Sequence, residues 1–128
     1  MSAVALRAAA PLALMGLIFY LSAQPSVGPD LPGWTRIVAH FTQYALLAAL
    51  WVWALAPSLG RRALLTAGAI SLLYAISDEY HQSFVEGRDA DVLDVAADAA
   101  GIAFALVLVG RYARARASTR RTQSASRG

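Results

Sequence analysis

"SDEYHQSFVEGRDADVLDVAADAAG", residues 77–101, carries seven of the chain's eight acidic side chains, and both of its flanks are apolar. The surroundings make that placement costly. Of the 128 residues 58% are hydrophobic and 15% charged, more apolar side chain than one soluble domain of this size can bury, so the composition points to a membrane protein.

Four apolar stretches, residues 4–23, 37–56, 63–80 and 92–110, approach or meet the roughly 20 residues needed to cross a ~30 Å hydrocarbon core. None alternates as a strand does. Inside a bilayer the backbone must satisfy its own hydrogen bonds, so the expected fold is an all-α membrane protein, a bundle of four transmembrane helices. Pro and Gly concentrate in "AQPSVGPDLPG" (residues 23–33) and "APSLGRR" (residues 56–62), which read as connections. Beyond Gly110 the chain turns basic and Ser-rich, so residues 1–110 form the expected transmembrane domain and residues 111–128 a disordered basic tail. That tail has no aromatic platform or folded module beside its charge, and nucleic acid is not an expected partner.

Charge orients the bundle. Arg7, the pair Arg61 and Arg62, and six arginines from Arg111 to Arg127 fall on alternate connections and so on one side; the positive-inside rule makes that side the cytoplasm, with both termini in it. The acidic stretch then lies at or just beneath the outer face. Residues 1–23 also have the layout of a signal peptide, whose removal would leave three spans in the same orientation. The chain has no cysteine, which excludes disulfides and thiolate metal sites.

A centrally placed Asp costs about 2.5 to 3.5 kcal/mol on insertion scales, whereas each Leu, Ile, Val or Phe returns only about 0.3 to 0.6. The nine such residues of the fourth segment offset one deep Asp, not two. Asp94 and Asp98 must therefore sit near the end of the span, hold protons, or be paired. Asp91, Asp94, Asp98 and Gly101 follow i, i+3, i+7, i+10, one face of a helix, on which the glycine admits a close neighbour. On the third segment Tyr74, Asp78 and Gln82 are spaced by four with Glu79 beside them, and at the start of the second stand His40, Gln43 and Tyr44. Three helix ends and a loop bearing Glu86, Arg88 and Asp89 are thus expected to converge on one polar site. The plainer reading is interhelical glue, with Arg88 paired to Asp78 or Asp94. Trp34, Trp51, Trp53 and Tyr112 read as interfacial or packing aromatics, and Gly16, Gly68 and Gly101 as points of close helix contact.

The same stretch resembles the signature of the VanZ-like family of small bacterial membrane proteins: a D-E-x-x-Q run, a short loop with an Arg, then D-x-x-x-(N or D)-x-x-G. The matching residues are Asp78, Glu79, Gln82, Arg88, Asp94, Asp98 and Gly101. "IFYLSAQP" (residues 18–25) and "HFTQYALLAAL" (residues 40–50) are similar to the family's end of the first span and start of the second. The resemblance implies a multi-pass protein of the bacterial cytoplasmic membrane with a cell-envelope role, since the family takes its name from a member associated with resistance to the glycopeptide teicoplanin. The partners it implies are the lipid bilayer and a lipid-linked cell-wall precursor or a glycopeptide.

Three readings of the site compete. In the first, Arg88, Gln82, Asp94, Asp98 and Tyr44 bind an envelope ligand together with His40. In the second, Asp78 or Glu79 acts as acid or base beside His40 in a membrane enzyme, with water or substrate as the nucleophile. In the third the carboxylates relay protons or bind a cation in a structural bundle. His40, His81, Asp78, Glu79 and Asp94 are metal-ligand types, but His81 follows Glu79 by two and leaves their helix face, so neither a metal nor any other cofactor is expected. The arginine distribution predicts that a C-terminal reporter active only in the cytoplasm works and that the same reporter inserted after Val27 does not; the opposite pattern overturns the orientation.

Overall fold

A computed structural model describes residues 2–25 and 31–126. Residues 26–30 of the first connection, Val27 among them, lie outside the described residues. The described residues form four helices: α1 (Ala3–Ser22), α2 (Gly33–Leu59), α3 (Arg62–Gln82) and α4 (Val92–Ala125). No strand occurs among them.

Local chemistry sets the boundaries. The Ser2 hydroxyl caps α1 by accepting from the Ala5 N–H at 3.2 Å, which satisfies one of the donors left open at a helix start. Gly60 ends α2 with φ +53°, a left-handed value open to glycine, and the chain reverses into α3 within two residues. Asp91 begins α4, its carboxylate accepting from the Leu93 N–H at 2.9 Å.

Helices α1, α2 and α4 are long and apolar enough to cross a membrane. Helix α3, with 21 residues, matches the ~30 Å of a hydrocarbon core in length. It falls short in apolarity because its last turns carry Asp78, Glu79, His81 and Gln82. Large apolar side chains face outward on every helix, among them Leu17, Leu46, Leu65, Leu73 and Val107. A soluble monomer rarely exposes such a surface, whereas lipid accepts it.

Helix α2 packs against all three others, while α1 and α4 do not meet among the described residues. Its buried stripe is Tyr44, Leu47, Ala48, Trp51, Val52 and Ala54. Facing it are small residues, Ala63, Ala67 and Ala75 from α3 and Ala97, Gly101 and Ala105 from α4, which let backbones approach without a hydrophobic drive from water. The closest approach is at Gly101, where an added Cβ would fall on the Phe41 main-chain carbonyl. Gly68 faces the Leu106 side chain, but Gly16 meets nothing within 4 Å, so close packing does not explain it.

Away from the acidic end, Arg7 lies 5.0 Å from the centroid of the Trp53 ring and joins the start of α1 to the end of α2. Trp51 is buried, and Trp34, Trp53 and Tyr112 are exposed. The basic tail, expected to be disordered, instead continues α4 as far as Ala125, with every residue from 111 to 126 exposed. Ala and Arg are good helix formers, and extending a helix already formed needs no new nucleus.

Gly101→Ala should push α2 from α4 and destabilise the bundle by about 1 to 3 kcal/mol, as overpacking does, while Gly16→Ala should be neutral. Thermal unfolding of the two purified variants checks this; equal behaviour would remove Gly101 from its structural place.

Candidate functional site

The ends of α1 and α3 meet the starts of α2 and α4, and there the buried polar groups gather. Asp94 and Asp98 are the most enclosed of the charged groups, each 1% exposed. They share with Gly101 the α4 face that the i, i+3, i+7, i+10 spacing marks out, and that face is turned onto α2.

Helix α2 answers them with His40 and Arg36. His40 Nδ1 lies 2.8 Å from Asp98 Oδ1, and its Nε2 lies 3.5 Å from Asp94 Oδ2. A neutral imidazole donates from one nitrogen only, so only the doubly protonated ring can donate toward both carboxylates. One turn earlier on α2, Arg36 Nη2 reaches Asp91 Oδ2 at 2.6 Å, and its Nε stands 3.1 Å from Asp94 Oδ1. The second contact has ion-pair distance without hydrogen-bond alignment, and Asp94 Oδ1 has no hydrogen-bond partner among the described residues.

A second, neutral set surrounds Asp78. Ser22 at the end of α1 donates to Asp78 Oδ1 at 2.6 Å, and Gln82 donates to Oδ2 at 3.2 Å. Tyr44 from α2 is fully buried, and its hydroxyl faces Asp78 and Asp98 without a hydrogen-bond partner among the described residues. Glu79 turns toward the connection and accepts the Asp91 main-chain N–H, which pins the start of α4 to the end of α3.

Arg88 departs from expectation. It pairs with neither Asp78 nor Asp94; its Nε donates to the Gln24 carbonyl at 3.0 Å and its Nη2 to the Leu21 carbonyl at 3.3 Å. The bend at Gly87, φ +74°, carries Arg88 back over the end of α1, out of reach of a carboxylate that faces α2. Arg36 takes the ion-pairing place instead. Glu86 and Asp89 are exposed and make no ion pair among the described residues.

A cleft of about 160 Å³ opens beside these groups. Ser22, His40, Asp78, Gln82 and Arg88 line it, with Ile18, Leu21 and Ala39 as its apolar wall. Of the expected site residues, His40, Asp78, Gln82 and Arg88 thus share one cavity, while Glu79, Asp94, Asp98 and Tyr44 stand behind it as supports. His40 and His81 are not brought together, since the His81 ring stacks on Phe19 with centroids 4.5 Å apart. Two residues were missed, Ser22 and Arg36. Ser22 lies inside "IFYLSAQP" and was legible there; Arg36 follows a Pro- and Gly-rich connection and carried no signal beyond its charge.

The fold and site define a small all-α membrane protein with a buried ionic cluster beneath a polar cleft. The chain belongs to the VanZ/LLP1 family, whose model matches residues 8–112. That match spans all of α2 and α3 and the acidic stretch. No curated protein and no solved structure matches the chain.

A double-mutant cycle tests the clasp. His40→Ala and Asp98→Leu should each destabilise, and together they should cost less than their sum by about 1 kcal/mol or more, as contacting partners do. His40→Ala with Arg7→Ala, at the other end of the bundle, should be additive. Unfolding free energies of the purified variants provide the measurement, and additivity of the first pair removes the clasp.

Proposed function

We propose that this protein is a bacterial cytoplasmic-membrane protein, its termini inside, whose outward-facing cleft binds an envelope or lipid-linked ligand and so lowers susceptibility to glycopeptides such as teicoplanin. One observation carries the reading. Arg88 lines the cleft yet is held by two neutral main-chain carbonyls, so its positive charge stays available to an anionic ligand group. Gln82, His40 and Ser22 supply polar groups around the same space.

The orientation rests on the arginines. Nine of the eleven fall on the side assigned to the cytoplasm, and the two on the other side are Arg36 and Arg88, both drawn into the polar cluster. Membership in the VanZ/LLP1 family supports the envelope role.

Recognition accounts for the geometry better than acid–base catalysis does. Glu79 is committed to the Asp91 N–H and His40 to two carboxylates, and Asp78, which does line the cleft, has both oxygens engaged by Ser22 and Gln82, whereas a general base must reach a substrate proton. The test is teicoplanin and vancomycin susceptibility of sensitive cells expressing wild type or Arg88→Ala at matched membrane levels. Wild type should protect and Arg88→Ala should not. Absence of protection by wild type would refute the reading.

A further inference from the structure

We propose that the cleft is shaped for a zwitterionic head group, its ammonium at Asp78 and its phosphate or carboxylate at Arg88; this rests on the reading of the cleft as a ligand site. Both residues line the same cavity of about 160 Å³. Neither is neutralised among the described residues: Arg88 has only main-chain carbonyls, and Asp78 only the Ser22 hydroxyl and the Gln82 amide.

The other basic side chains of the cluster are already engaged. Arg36 serves Asp91 and Asp94, and His40 serves Asp94 and Asp98. Behind Asp78 stands the wholly buried Tyr44 hydroxyl, which faces the carboxylate as a further polar group but brings it no countercharge. Asp78 itself is only 5% exposed. A carboxylate so placed is costly unless a positive charge meets it, and a ligand in the cleft can bring that charge. Arg36 lines the cavity too but is held by Asp91 and Asp94, so Asp78 and Arg88 are the two charged lining residues without an ion-pair partner among the described residues.

Volume sets the scale. A site for one water needs only about 10–15 Å³ of such space, so the cleft is on the scale of several waters or one small head group. Ile18 and Leu21 form an apolar wall on α1, suited to the first carbons of an attached chain. The zwitterion can arrive on a lipid or free in solution, and the two sources share this chemistry.

The test uses the full chain in nanodiscs and two probes: phosphatidylethanolamine in a phosphatidylglycerol background, scored by retention in native mass spectrometry, and soluble phosphoethanolamine, scored by calorimetry. Each is compared with its N-acetylated form, which keeps the phosphate and loses the positive charge. Binding of either amine probe, weakened about tenfold by acetylation as loss of a charged hydrogen bond requires, supports the proposal and identifies the source. Asp78→Asn should abolish the discrimination, and Arg88→Ala should weaken both forms.

The acetylation comparison needs only wild type, so it decides even where Asp78→Asn does not accumulate. Equal binding of amine and acetylated probes, dependent on Arg88, overturns the zwitterion and leaves the ligand site standing. No binding of any probe to wild type also overturns it, and the susceptibility assay then decides separately on the site.

Discussion

Asp94 and Asp98 lie side by side on a helix that must also pass through hydrocarbon, and the acidic end of this bundle is arranged around keeping them there. Each is almost wholly enclosed between α2 and α4. An ionised carboxylate in such a place is tolerated only with a partner. Gly101, one turn further on, makes the partnership geometrically available: it lets the α2 backbone close onto α4 at Phe41, and His40, the neighbouring residue, then meets Asp98 at 2.8 Å. A side chain at Gly101 would hold the helices apart and leave the carboxylates unanswered.

The same constraint explains why the cluster splits into a compensated half and an uncompensated one. Arg36 and His40 balance Asp94 and Asp98, and that half behaves as interhelical glue of the kind membrane bundles use. Glue does not account for Asp78 and Arg88, which face one cavity and are held by neutral groups. Because α1 supplies Ser22 and the Leu21 carbonyl, and the chain just beyond it the Gln24 carbonyl, the end of the first helix completes the cleft. Structural and recognition roles are therefore carried by adjacent but different residues.

Much of this was readable from residue order. Apolar run lengths located all four helices, and the period of Asp91, Asp94, Asp98 and Gly101 identified the face that packs. Periodicity tells which side of a helix is buried; it does not tell which distant residue waits opposite. Residue order therefore leaves Arg88 either Asp78 or Asp94 as a partner, where the structure gives Asp94 to Arg36, and it does not show that Ser22, 56 residues from Asp78 along the chain, meets that carboxylate. Composition misled at the tail for a different reason. A polar, basic segment has no core to join, yet when it continues an existing helix of Ala and Arg it needs none.

The proposed site requires the polar cleft to open on the non-cytoplasmic side of the membrane. Since the chain has no cysteine, single introduced thiols report directly on it. Ala39→Cys, at the cleft wall, and Ser118→Cys, on the exposed extension of α4, would be treated in intact cells with a membrane-impermeant maleimide. The account predicts labelling of Ala39→Cys in intact cells and of Ser118→Cys only after permeabilisation. Labelling of Ser118→Cys alone, or an Ala39→Cys that stays unreactive even after permeabilisation, would contradict it.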